Sequence, residues 1–133
     1  MVVDSSALIA VLADEPDAAT LFAALTAASR PVISAATYVE ASIVADNMRR
    51  PGGAADLDRL IAALAIEIVP FDTAQAGIAR QAARDYGRGN HPAKLNFGDC
   101  FSYALAIARH EPLLFKGDDF ALTDVLVADA AAE

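Results

Sequence analysis

Short apolar segments alternate along the chain with longer segments in which apolar residues recur every three or four positions. The longer segments predict amphipathic helices that begin near residues 5, 17, 34, 54, 72 and 96. The short segments predict strands at residues 1–4, 31–34, 66–71, 112–115 and 125–128. Strands that alternate with helices favour a mostly parallel sheet covered by helices on both faces. The pattern therefore predicts an α/β sandwich.

Size and composition predict a single domain, residues 1–133, that folds on its own. Of the 133 residues, 56% are hydrophobic and 21% are charged, which is enough to bury one core. The apolar runs are far shorter than the roughly 18 residues that a membrane-spanning helix needs, and no basic leader precedes the first strand. We therefore expect a cytoplasmic protein with no membrane association. One cysteine and two histidines are too few for an ordinary structural zinc site.

The net charge argues against a protein that holds nucleic acid through phosphate contacts alone. The chain carries 10 Lys and Arg residues against 18 Asp and Glu residues, a formal charge of −8. Phosphate neutralisation requires the opposite sign. A nucleic-acid function therefore requires a bound cation or a local basic surface.

Several carboxylates fall where predicted strands end or predicted helices begin. Asp4 ends the first strand, Glu40 and Asp99 lie in the opening turns of helices, and Asp118 and Asp119 follow the fourth strand. Right-handed crossovers place such positions along one edge of a parallel sheet. Carboxylates brought together repel one another or take up protons, and a hard divalent cation such as Mg²⁺ relieves this repulsion. Helix capping and turn formation explain each acid singly, so spacing alone leaves a metal site and a structural role both open.

At these residues the sequence resembles the PIN-domain family, and specifically its VapC-type ribonuclease toxins. The likeness follows essentially the whole chain in order. The resemblance implies the PIN fold, a three-layer α/β/α sandwich with a mostly parallel central sheet. The matching segments are residues 1–7 (MVVDSSA), the helix around Glu40, residues 87–106 with NFGDC at 96–100, and residues 115–120 (FKGDDF) followed by Thr123 and Asp124.

The resemblance implies an acidic metal site and a hydrolytic activity. It makes Asp4, Glu40 and Asp99 the metal-binding acids and Asp118 the fourth acid, with Asp119 as a further candidate ligand. The position of Ser5 often supports this site through a hydrogen bond. The implied cofactor is Mg²⁺, with Mn²⁺ able to substitute, and such ions activate water and neutralise the phosphate in phosphodiester hydrolysis. The division of roles among Glu40, Asp118 and Asp119, and the number of ions, stay open.

A basic stretch ahead of Asp99 offers a route for an RNA backbone. Three arginines recur every fourth residue on one predicted helix face, and the following loop adds a histidine and a lysine. A solvated helix face explains the same pattern equally well. A lysine beside the acids either contacts the scissile phosphate or balances local charge. These candidates are Arg80, Arg84, Arg88, His91, Lys94 and, beside the acids, Lys116.

The resemblance also implies partners, and several alternatives compete with it. It implies a cognate VapB-type antitoxin and a homodimer; the apolar residues of segments 8–12 and 21–25 either form the antitoxin groove or belong to the core. The main alternative function is that of a PIN-superfamily DNA nuclease or RNA-processing nuclease outside a toxin pair. A phosphotransfer domain and a metal-binding interaction module are weaker alternatives. Cys100 lies in an apolar helix, which favours a core residue over a nucleophile.

Overall fold

The computed structural model describes residues 1–49 and 51–129. Its centre is a sheet of four parallel strands in the order β3-β2-β1-β4. Val2 of the central strand β1 lies opposite Val32 on one side and Leu113 on the other. The predicted parallel sheet is therefore confirmed. The strands are β1 (Val2–Val3), β2 (Val32–Ser34), β3 (Glu67–Val69) and β4 (Leu113–Leu114).

Helices cover both faces of this sheet. Several of them begin at a polar cap, since the side chains of Ser34, Asp72 and Asn96 each accept a hydrogen bond from a backbone N–H of the first turn. The helices are α1 (Ser5–Leu12), α2 (Ala18–Ala27), α3 (Ala35–Asp46), α4 (Gly53–Ala63), α5 (Thr73–Tyr86) and α6 (Phe97–Arg109), with a 3₁₀ turn at Phe120–Leu122.

The sheet separates two hydrophobic cores, because successive side chains of a strand point to opposite faces. Val2 and Leu113 belong to the core that includes residues of α5 and α6. Val3 and Leu114 belong to the core that includes residues of α1, α2, α3 and α4. The three-layer α/β/α architecture is therefore confirmed, with the sheet as the middle layer.

Two sequence predictions need correction. The strand expected at residues 125–128 is reduced to an isolated parallel bridge between Val127 and Leu113. Leu126 and Val127 are exposed there, so little apolar burial favours a longer strand. The strand expected at 66–71 is confined to Glu67–Val69, and Pro70 beyond it lacks the N–H that a ladder needs.

The apolar residues of α1 and α2 serve mainly the core. Leu8, Leu21 and Leu25 are buried in the cluster that also contains Val3 and Ile33. This favours the core interpretation of the two segments over a ready-made groove. Among the helices that the structure describes, none combines the length and the apolar character needed to cross a membrane.

Candidate active site

Asp4 stands at the carboxyl end of the central strand and has both carboxylate oxygens engaged. It is 3% exposed. It caps α1, so its Oδ2 accepts a hydrogen bond of 3.0 Å from the backbone N–H of Ser6. Its Oδ1 accepts a hydrogen bond from the hydroxyl of Ser102 on α6. The carboxylate is thus held in one orientation from two sides.

A pair of buried hydroxyls connects Asp4 to α3 and α6. The hydroxyls of Ser102 and Thr37 lie 3.2 Å apart, and both residues are fully enclosed between α3 and α6. Sequence reasoning missed both residues as parts of the site. The one available signal was a serine on the buried side of an otherwise apolar helix, where a hydroxyl must find a partner.

Glu40 reaches the same edge of the sheet from the second turn of α3. The hydroxyl of Ser5 donates to its Oε1 at 3.0 Å. Burial raises the pKa of Glu40, the charge of Asp4 raises this pKa further, and the Ser5 hydrogen bond acts in the opposite direction. The carboxylate also lies against Gly98, where a Cβ atom would come within 1.9 Å of its Oε2. The glycine of the NFGD segment therefore makes room for Glu40.

Asp99 lies in the first turn of α6 as half of a capping box. Its backbone N–H donates to Asn96 Oδ1 at 2.9 Å, and its Oδ2 accepts from the Asn96 N–H at 3.0 Å. Burial raises the pKa of Asp99 to about 6, against the hydrogen bond from Asn96, and the charges of Asp4, Asp119 and Glu40 raise it as well. The capping role foreseen from the sequence is real, and it does not exclude the electrostatic coupling to the other acids.

The loop after β4 carries the remaining two candidate acids. Asp118 and Asp119 are both exposed. The charges that act on Asp99 include that of Asp119 rather than that of its neighbour Asp118. The loop is tied to α1 because the backbone N–H of Lys116 donates to the Ser6 hydroxyl at 3.0 Å. Ser6 therefore links the Asp4 element to the loop that carries Asp118 and Asp119.

The basic residues divide into two groups. The ammonium of Lys116 lies 2.5 Å from Glu15 Oε2 and 3.3 Å from Asp17 Oδ1, so it is paired with these acids. Arg80 and Arg88 line a groove between α5 and α6. Arg88 follows Gly87, the residue that ends α5 in extended conformation. The prediction that the three arginines share one helix face is therefore wrong. Arg84 and Lys94 are exposed.

Cys100 has the surroundings of a core residue. It is buried, and its Sγ donates to the carbonyl of Asn96 at 3.4 Å. Burial raises the pKa of the thiol, and the charge of Asp99 raises it further. Since the thiolate is the nucleophilic form, this environment opposes a nucleophilic role.

The donor set at this edge fits a hard divalent cation. In residues 1–49 and 51–129, no three His, Cys, Asp or Glu side chains already form a group that would hold a metal ion. Mg²⁺, however, is commonly bound by one or two carboxylates and several waters. Asp4, Glu40 and Asp99 are hard oxygen donors; the charge of Asp4 raises the pKa of Glu40, and the charges of Asp4 and Glu40 raise that of Asp99. A cation that binds there relieves this repulsion, so the residues match the implied cofactor.

Comparison with protein families and relatives agrees with this geometry. A family model described as PIN domain matches residues 1–126. The ribonuclease VapC28 of Mycobacterium tuberculosis is 52% identical over 126 residues, which is 94% of this chain and 95% of the relative. The ribonuclease VapC of Mycolicibacterium smegmatis is 47% identical over 125 residues, which is 94% of this chain and 97% of the relative.

Solved structures share the fold at much lower identity. A toxin–antitoxin complex from Klebsiella pneumoniae superimposes with a TM-score of 0.69 at 21% identity, covering 95% of this chain and 94% of that one. FitAcB from Neisseria gonorrhoeae gives a TM-score of 0.68 at 18% identity, covering 99% of both chains. Family model, relatives and fold agree, and the chain belongs to the PIN-domain family, among its VapC-type members.

Proposed function

We propose that this chain is a single-domain, metal-dependent endoribonuclease that acts as the toxin of a type II toxin–antitoxin pair. The observation that carries the proposal is the half-buried carboxylate of Asp99, whose pKa is raised to about 6 first by burial and then by the charges of Asp4, Asp119 and Glu40. Carboxylates in that state attract a divalent cation. The similarity to VapC ribonucleases, at 52% and 47% identity over 94% of this chain, supports RNA as the substrate.

In this proposal Asp4 and Asp99 hold Mg²⁺, with Mn²⁺ as a substitute. When bound, the ion supplies charge neutralisation at the phosphate and activation of water. Ser6 and Ser102 fix the orientation of Asp4, so that ligand needs no rearrangement. Glu40 has a raised pKa, which makes it a stronger base and suits it to accept a proton from the attacking water. Ser5 positions the Glu40 carboxylate.

The fourth acid in this proposal comes from the loop after β4. Asp119 acts on Asp99 and is the nearer candidate, while Asp118 is the acid that the resemblance implies. Arg80 and Arg88 carry the contact with the RNA backbone, because they line the groove next to Asn96. Lys116 is engaged with Glu15 and Asp17 and serves local charge balance.

The decisive experiment incubates the purified, antitoxin-free protein with total bacterial RNA in Mg²⁺, in Mn²⁺ or in EDTA, beside the Asp99→Asn variant. New 5′ ends are mapped by sequencing. We expect discrete ends that require metal and vanish in the variant. A folded Asp99→Asn protein that still cleaves RNA overturns the site assignment. Cleavage of a defined DNA duplex or single strand, but not of RNA, replaces the proposal with the DNA-nuclease alternative.

The proposal includes a homodimer and a VapB-type antitoxin, with action in the cytoplasm. Helix α3 exposes Val39, Ile43 and Val44 beside Glu40, and clustered exposed apolar side chains mark a protein-binding face. We assign this face to the second copy. Light scattering after gel filtration tests the dimer, and Ile43→Glu is expected to yield monomers. Co-expression with the adjacent gene, followed by the RNA cleavage assay, tests inhibition by the antitoxin.

A further inference from the structure

A groove between α5 and α6 opens next to the start of the helix that carries Asp99, and the proposed function uses only its two arginines. Its volume is about 780 Å³, within the roughly 300–1,000 Å³ typical of ligand pockets. Its walls are mostly alanine, leucine and phenylalanine side chains. Asn96 and Phe97, the first residues of the NFGD segment, are among its lining residues.

The aromatic side chains of the groove form a continuous series. The rings of Phe71 and Phe101 meet edge to face with centroids 4.9 Å apart. The rings of Phe101 and Phe97 meet in the same way at 4.8 Å. Phe97 is 81% exposed, the most exposed of the large hydrophobic residues that the structure describes. An aromatic ring held by a second ring and left open to solvent is a platform on which a planar group can stack.

The charge of the groove is opposite to that of the protein. Two arginines, Arg80 and Arg88, line it, and no acidic residue does. No ion pair in residues 1–49 and 51–129 involves either guanidinium. By contrast, the neighbouring groove along α3, which shares Phe97 and Phe101 with this one, is lined by Glu40 and by no basic residue. In a chain of net charge −8, the α5–α6 groove therefore favours an anionic ligand and the α3 groove does not.

We propose that the α5–α6 groove is a nucleotide subsite in which an unpaired base of the RNA substrate stacks on Phe97, while Arg80 and Arg88 contact the adjoining phosphates. This inference rests on the proposed ribonuclease function and adds a specificity element to it. Single-stranded RNA is commonly bound by aromatic platforms combined with basic side chains that follow the backbone. Because Phe97 lies two residues before Asp99, a base held there fixes which phosphate reaches the acids.

The test measures RNA binding separately from cleavage. The Asp99→Asn protein is titrated into a fluorescein-labelled, single-stranded 12-nucleotide RNA and into an abasic ribose-phosphate strand of the same length. Added Phe97→Leu is expected to weaken binding of the base-containing strand by about tenfold, the order expected for one lost stacking contact, and to leave the abasic strand unaffected. Phe22→Leu is the matched control, because Phe22 is also exposed but lies on α2 outside the groove.

The arginines are tested through the salt dependence of the same binding. Arg80→Ala and Arg88→Ala are each expected to make the plot of log K against log salt less steep, by about the amount that one phosphate contact contributes to the slope. Arg84→Ala is the matched control, since Arg84 lies on α5 with Arg80 but does not line the groove. An equal change in slope for Arg84→Ala would overturn the assignment of the two arginines to a defined site.

The remaining outcomes separate this inference from the proposed function. If the parent protein cleaves total RNA but Phe97→Leu binds the base-containing strand normally, the subsite is wrong and the ribonuclease stands. If the parent neither binds nor cleaves RNA, both are wrong. If Phe97→Leu changes the oligomeric state in light scattering while RNA binding is unchanged, the ring belongs to an interface between copies and the subsite is overturned.

Discussion

Asp4 and the Asp118–Asp119 pair are opposite extremes among the candidate acids. Asp4 is buried at the end of the central strand, with one oxygen bonded to Ser6 and the other to Ser102. Asp118 and Asp119 are exposed on the loop after β4, and no hydrogen bond to their side chains occurs in the part of the chain that the structure describes. One end of the site is oriented before any ligand arrives, and the other end is free to adapt. We therefore expect rigid metal binding at Asp4 and adjustable binding at the loop.

The largest effect is expected at the rigid end. Asp4→Asn should abolish detectable RNA cleavage while leaving the fold intact. The amide oxygen can still accept from the Ser6 N–H, and the Ser102 hydroxyl can turn to accept from the amide NH₂. The variant therefore keeps its hydrogen bonds but loses the negative charge that a divalent cation requires. Circular dichroism and cleavage of total RNA are the two measurements. Retained cleavage in a folded Asp4→Asn protein would show that the negative charge of Asp4 is not required for activity.

The next effect concerns Glu40, which lies between the two extremes. Gly98→Ala places a Cβ atom 1.9 Å from the present Oε2 position, so the Glu40 carboxylate must move. Displacement of a reacting group by about 1 Å costs on the order of 100-fold in rate. We expect that loss in initial cleavage rate, with little change in melting temperature because the long Glu40 side chain can yield.

Gly77→Ala is the matched control for Gly98→Ala. Gly77 lies within α5, and an added Cβ there meets nothing within 4 Å. This variant should keep full activity and gain roughly 0.5–1 kcal/mol of stability from helix propensity. Equal rates for the two variants would show that Gly98 does not make room for a working Glu40.

Removing the support of Asp4 tests whether its rigidity matters. Ser102→Ala deletes one of the two hydrogen bonds to the carboxylate and leaves Thr37 without its hydroxyl partner. Loss of such a supporting partner costs roughly 10-fold or more in metal affinity. Isothermal titration with Mn²⁺ measures this affinity directly. Ser42→Ala is the control, because its hydroxyl bonds to the Tyr38 carbonyl away from the acids. Unchanged Mn²⁺ affinity in Ser102→Ala would mean that Asp4 is oriented without Ser102.

A smaller effect is expected at the adaptable end. Asp119→Asn should slow cleavage by a few fold, and Asp118→Asn should slow it less, because the charge of Asp119 acts on Asp99. Water can take the place of an exposed loop carboxylate as a metal ligand, which limits the loss of cleavage rate. Initial rates of both variants on the same RNA decide the order. A larger loss for Asp118→Asn would make that residue the fourth acid, as the resemblance implies.

The smallest effect is a pH dependence of stability in metal-free protein. The folded-state pKa of Asp99 is about 6 against an ordinary value of 3.8, so between these pH values the folded protein binds more protons than the unfolded chain. Asp99 therefore destabilises the folded protein most above pH 6, and this destabilisation decreases as the pH falls toward 4. Glu40, whose pKa is also raised, acts in the same direction.

This dependence is measured as melting temperature in EDTA at pH 4.5 and pH 6.5. Asp99→Asn should be stabilised relative to the parent by a few degrees more at pH 6.5 than at pH 4.5, because the variant cannot ionise. An equal difference at both pH values would show that the pKa of Asp99 is not raised in the folded protein.

The order of strands and helices followed from the hydrophobic pattern, and the approach of Asp4 and Glu40 followed from the parallel topology. The sequence could not reveal the Ser102–Thr37–Asp4 hydrogen bonds, which join residues 65 and 98 positions apart. Nor could it distinguish Arg80 and Arg88, which line the groove between α5 and α6, from Arg84, which does not. Contacts between distant side chains depend on how helices pack, and no local pattern encodes that packing.

Sequence alone determined the α/β class and the candidate acids, because the periodicity of apolar residues and the placement of polar residues at element ends are local properties. Tertiary structure alone decided that Asp4 is buried and held on both sides, that Gly98 leaves room for Glu40, and that Lys116 is paired with Glu15 and Asp17. The physical reason is that burial, desolvation and charge coupling depend on distances between elements, which exist only once the layers have packed together.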